Sequence, residues 1–142
     1  MARKIKVDNA ILKRLERKET KRVENSKPKR QYILIVCEGE KTEPNYFKSL
    51  KASLPKGVLE VCEFKIVGTG HNTASLVRKA MQLRTEWEEE IRRTVDKLWI
   101  VFDRDSFTPA SFNTAVNKCI RNRPAVDCAW SNEAFELWYL LH

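Results

Sequence analysis

Apolar residues recur along this chain in short unbroken runs, separated by segments whose apolar positions keep a helical period. The run from Tyr32 to Cys37 is apolar throughout, as strands buried on both faces of a parallel sheet are. Leu98 to Phe102 repeats that pattern, Val126 to Trp130 reads as another strand although Asp127 interrupts it, and Val58 to Val67 alternates in part and reads as a further strand. Between them the period changes. Tyr46, Phe47 and Leu50 share a helix face behind Thr42 as cap, with Glu43 and Pro44 in the first turn, and that helix should end before Pro55. Leu76, Val77, Ala80, Leu83 and Trp87 predict a long helix that starts at Asn72 or Thr73 and reaches Val95. Pro109 opens another, carrying Ala115, Val116 and Cys119, and Ser131 is placed to cap a last one. Strands and helices alternating four times imply βαβ crossovers, hence an α/β fold with a mostly parallel sheet and helices on both faces.

Charge divides the chain in two. Residues 1–30 hold twelve Lys or Arg against four acids, while residues 31–142 hold fifteen of each, so the whole excess of +8 sits in the first thirty residues. This predicts a basic N-terminal arm, 1–30, helical from Asp8 to Glu24 or flexible, ahead of one folded domain, 31–142. Such an arm suits a nucleic-acid partner, whose phosphates Lys and Arg neutralise, and equally a solvated tail. Cys37, Cys62, Cys119 and Cys128 form no CxxC pair and suit a reducing cytosol. No run approaches a membrane span, so a cytoplasmic protein without membrane contact is expected. The apolar stretch Phe135 to His142 stops without a polar tail, which points to a chain truncated at its C-terminus or a helix buried by a partner, a second copy included.

Carboxylates gather where strands end. Glu38 follows the first apolar run directly, with Gly39 permitting a sharp turn and Glu40 beyond it. Asp103 and Asp105 follow the third run. Two residues apart in extended chain, they face one side while Arg104 points away. Ligands of open α/β sheets bind outside the carboxyl ends of the strands, so Glu38, Asp103 and Asp105 are expected around one point. Oxygen ligands of that kind hold Mg²⁺ or Mn²⁺. Glu136, three residues after Glu133 and set in an apolar run, is a fourth candidate, ligating the metal or pairing with a base such as Arg104. Lys41, His71 in the GTGHNT turn, and Arg104 are the candidates for substrate contact.

The segments ILIVCEGEKTEPNYF, FDRDSF and SNEAFELWYLLH together resemble the successive motifs of the RloB-like family, over about residues 31–142. That resemblance implies a Toprim-type fold, with Glu38 as the glutamate after the first strand and Asp103 and Asp105 as the DxD, acting with magnesium on phosphodiester bonds of DNA or RNA. It also implies a link to bacterial restriction and phage-defence loci, with an ATPase as neighbour and partner. Members of the family continue beyond the position of His142. Two functions follow as expectations: a Mg²⁺-dependent nuclease, or a non-catalytic Toprim-like subunit that binds nucleic acid or a partner.

Overall fold

A computed structural model describes Asn9 and residues 29–104, 108–124, 126–132 and 134–141. The expected arm helix, Asp105 and Glu133 therefore lie outside the described residues, Asn9 excepted. Four strands form one all-parallel sheet: β1 (Gln31–Cys37), β2 (Cys62–Gly68), β3 (Lys97–Asp103) and β4 (Asp127–Ser131), in the order β2-β1-β3-β4. Between them run α1 (Thr42–Ser53), α2 (Lys56–Val61), α3 (Thr73–Ile91) and α4 (Pro109–Arg121), and α5 (Glu136–Leu141) follows β4. The fold is α/β, as the alternation of runs and helical spacings implies.

The period-2 geometry of a strand sorts the core into two layers. Leu34 and Val36 of β1 and Leu98, Ile100 and Phe102 of β3 point to one face, where α3 covers them with Leu76, Val77, Ala80 and Trp87 and α4 with Ala115 and Cys119. Cys37 and Val101, which pair across β1 and β3, point to the other face and meet Phe135, Tyr46 and Phe47 of the α1 and α5 side. Burying apolar side chains of this size is worth roughly 1.5–3 kcal/mol each, so the sheet is held mainly through its two central strands.

Three local outcomes differ from the expectations. Residues 58–61 are helical rather than extended, because Pro55 stops α1 and its carbonyl accepts from the amides of Val58 (3.0 Å) and Leu59 (3.3 Å), starting a new turn. Helix α3 stops at Ile91 instead of Val95. Arg92 adopts a left-handed conformation (φ 52°), and the Glu88 carboxylate turns back to accept from the Val95 amide at 2.8 Å. Buried Arg84 braces the same corner, bonding Glu88 at 3.2 Å and the Val95 carbonyl at 3.0 Å. Thr42 and Ser131 are not caps: Thr42 is the first residue of α1, and Ser131 ends β4. Among the described residues no helix is long and apolar enough to cross a membrane.

Candidate active site

The strand order reverses direction beside β1, since the chain crosses from β1 out to β2 and then back over β1 to β3. A crevice opens at such a switch point, at the carboxyl ends of the strands. Glu38 and Asp103 sit there, 65 residues apart in sequence. The Glu38 amide continues the β1–β3 ladder by donating to the Val101 carbonyl (2.8 Å), and its carboxylate Oε2 accepts from the Asp103 amide at 3.1 Å. Asp103, half-buried, accepts in turn from the hydroxyl of Ser131, its register partner on β4. Three neighbouring strands thus fix one carboxylate pair.

Glu43 joins them from α1. Its position in the first turn suits a helix dipole, and Cβ atoms on a helix lean toward its N-terminus, so the side chain reaches back to the sheet edge. Only 5% of Glu43 is exposed. Burial pushes its pKa up; backbone hydrogen bonds from its own amide and from Gly39 oppose that, while the charges of Asp103 and Glu136 add to it. Gly39 is what admits it, since a Cβ there would collide with the Glu43 carboxylate. Beneath lies Cys37, whose thiol is pushed up to about 12, first by burial and then by the charge of Glu43, with Lys48 opposing. Cys37 is therefore a protonated, inert thiol.

The β2–α3 loop closes the other side. Thr69 donates twice to the Cys37 carbonyl, from its amide (3.1 Å) and its hydroxyl (2.9 Å), and the His71 amide donates to the Thr69 hydroxyl (3.3 Å). Gly70 has a left-handed φ of 63° and lies under the Glu40 side chain. Lys41 and His71 are both exposed on these edge loops. Arg104 turns toward α4, over the Phe112 ring (5.6 Å) and donating to Asn132 (3.3 Å); among the described residues no ion pair joins it to Glu136. On the α1 and α5 side a cavity of about 200 Å³, lined by Phe47, Phe135, Trp138 and Ser131 among others, adjoins the carboxylates through Ser131.

Of the residues singled out in the sequence, Glu38 and Asp103 come together, and Glu136 lies within electrostatic reach of Glu43. Among the described residues no three His, Cys, Asp or Glu side chains stand close enough to hold a metal ion. The donor chemistry nonetheless suits a hard cation, being all carboxylate oxygen, with Asp103 and Glu136 both raising the Glu43 pKa through repulsion that a cation would relieve. From the sequence Glu43 reads only as a helix-start acid; its signal is a carboxylate in the first turn of a helix that begins four residues after a strand-end glutamate.

A doubly wound α/β domain with a group of acids at its switch point, Glu43 among them buried, is the class that fold and site define. Within that class the chain belongs to the RloB-like protein family, whose model matches residues 33–142. Comparison with curated proteins finds no match, nor does comparison with solved structures.

Proposed function

We propose that the chain is a metal-dependent nuclease of Toprim type that cleaves phosphodiester bonds of DNA or RNA in the cytoplasm, in a bacterial phage-defence or restriction setting with an ATPase as partner. The observation that carries the reading is the buried Glu43 carboxyl beside Asp103, whose amide Glu38 holds, at the switch point of a parallel sheet.

Asp103, Glu43 and Glu136, with Asp105 as the second acid of the DxD, are the residues that would hold Mg²⁺ or Mn²⁺, and Glu38 is a further candidate ligand. When bound, the ion polarises the scissile phosphate and lowers the pKa of an attacking water. Glu38 positions Asp103 through its amide, and Ser131 fixes the Asp103 carboxylate in plane with the β3–β4 register. Burial and the charges of Asp103 and Glu136 raise the Glu43 pKa, so a cation held there would favour its carboxylate form. Lys41 and His71, exposed on the two edge loops, would be the residues to contact the phosphodiester.

Glu38→Gln and Asp103→Asn should each lower Mn²⁺-dependent cleavage of a labelled oligonucleotide by a hundredfold or more, roughly the loss expected for a general base or charge-stabilising group. Wild-type activity in either variant would refute the assignment. A second reading, a non-catalytic partner-binding subunit, draws on the apolar face of α5, where Leu137, Trp138, Leu140 and Leu141 are all exposed. Calorimetric titration with Mn²⁺ separates the two, because an adaptor needs no ion at these acids.

A further inference from the structure

On the sheet face opposite α1 and α5, helices α3 and α4 pack together and leave a groove between them with a volume of about 400 Å³. Val77 and Met81, both packed on the core, form its floor, and Arg78, Lys118 and Arg121 line it along with Asn122. The three cations are exposed, and none has an ion-pair partner among the described residues.

Charge here is segregated in a way that the zero net charge of residues 31–142 conceals. Residues 73–85 contain Arg78, Lys79 and Arg84 and no acid, and residues 109–121 contain Lys118 and Arg121 and no acid. The acids of α3 all fall in its last two turns, from Glu86 onward. The ordinary reason for Lys and Arg in the last turn of a helix is to satisfy its orphan carbonyls. At α4 that work is already done: Arg123 donates to the carbonyls of Ile120 (2.9 Å) and Asn122 (3.0 Å), and the Asn122 side chain donates to that of Lys118 (2.8 Å). Lys118 and Arg121 are left to line the groove with Arg78.

We propose that this groove is a track for the phosphate backbone of a nucleic-acid strand, a proposal that rests on the nucleic-acid reading of the edge site and extends it to a second surface. Three unpaired cations on two rigid helices complement a polyanion, and the absence of acids from both flanking segments removes the repulsion that would oppose it. The apolar floor serves the aliphatic stems of the basic side chains and keeps their heads at the rim.

The test is fluorescence anisotropy of a labelled single-stranded oligonucleotide with the full chain, in chelator so that nothing is cut, across a potassium chloride series. Each phosphate contact on a single strand contributes about 0.7 to the slope of log affinity against log salt. The triple variant Arg78→Gln, Lys118→Gln, Arg121→Gln should therefore have a slope shallower by about 2, so that its affinity deficit shrinks about 18-fold between roughly 50 and 200 mM salt. The charge-keeping variant Arg78→Lys, Arg121→Lys should keep the wild-type slope. A triple variant with the wild-type slope, or a lysine variant that loses slope as the glutamine variant does, overturns the proposal. Cleavage with Mn²⁺ is read separately on the wild-type chain: no cleavage together with the expected slope difference overturns the nuclease reading and keeps the groove, while cleavage with the same slope in wild type and triple variant overturns the groove alone.

Discussion

Two glycines at the sheet edge give the sharpest contrast between stability and site geometry. A Cβ on Gly68, the last residue of β2, would stand 2.6 Å from the Gly39 carbonyl oxygen, 2.7 Å from that of Glu40 and 2.7 Å from Cγ of Pro44. These are backbone and ring atoms that cannot swing aside. Gly68→Ala should cost the roughly 1–3 kcal/mol of overpacking, less about 0.4–1 kcal/mol gained by stiffening the unfolded chain. At roughly 4 °C per kcal/mol for a domain of this size, the midpoint of about 1.3 kcal/mol lowers its Tm by about 5 °C. Gly39→Ala meets only the carboxylate end of Glu43, which can rotate away. Its Tm should stay within about 2 °C of wild type, while Mn²⁺ affinity falls at least about tenfold because Glu43 leaves the acid cluster. Thermal melts with Mn²⁺ calorimetry on both variants decide it. If Gly39→Ala melts as low as Gly68→Ala, or binds Mn²⁺ as wild type does, then Gly39 does not serve to admit Glu43.

Other outcomes follow from the same cluster. The Glu43 carboxyl is held above its ordinary value of 4.5, so the folded chain grips that proton more tightly than the unfolded chain, and its contribution, full below 4.5, is lost as pH rises through the raised folded value. Urea midpoints measured across that window should decline with pH in wild type and decline less in Glu43→Gln; parallel curves would refute the shift. Ser131→Ala removes the hydroxyl bonded to the Asp103 carboxylate from a position only 6% exposed, and should cost about 1.5–3 kcal/mol by chemical denaturation. Tyr139→Phe, which removes the 2.8 Å bond to the Thr42 carbonyl that ties α5 to α1, should cost about 0.5–1.5 kcal/mol in the same measurement.

The sequence disclosed most where one physical signal dominated. Continuous apolar runs marked β1 and β3 to within a residue or so, and α3 followed from five apolar positions at helical spacing. The signal was ambiguous at Val58, Leu59 and Val61, whose spacing suits a short helix as well as a strand; the free carbonyl of Pro55 decided for the helix. Glu38 and Asp103 were legible as strand-end acids because burial on both sides of each run fixes where the strand must stop. Glu43 was not, because its membership depends on the space left by the missing Cβ of Gly39 and on Asp103, sixty residues later. Ser131 looked like a helix cap for the same reason: its real partner is on another strand.

The strand order has a consequence for how the chain emerges during synthesis. β1 is complete at Cys37 and β2 can pair with it early, but the other edge of β1 waits for β3, which ends at Asp103. At about 5–20 residues per second that wait lasts about 3–13 seconds, during which a fully apolar strand offers unpaired amides and carbonyls to any other chain. The acids meet only when that edge closes, so the nascent chain is most prone to aggregate during the interval in which its candidate site is unassembled.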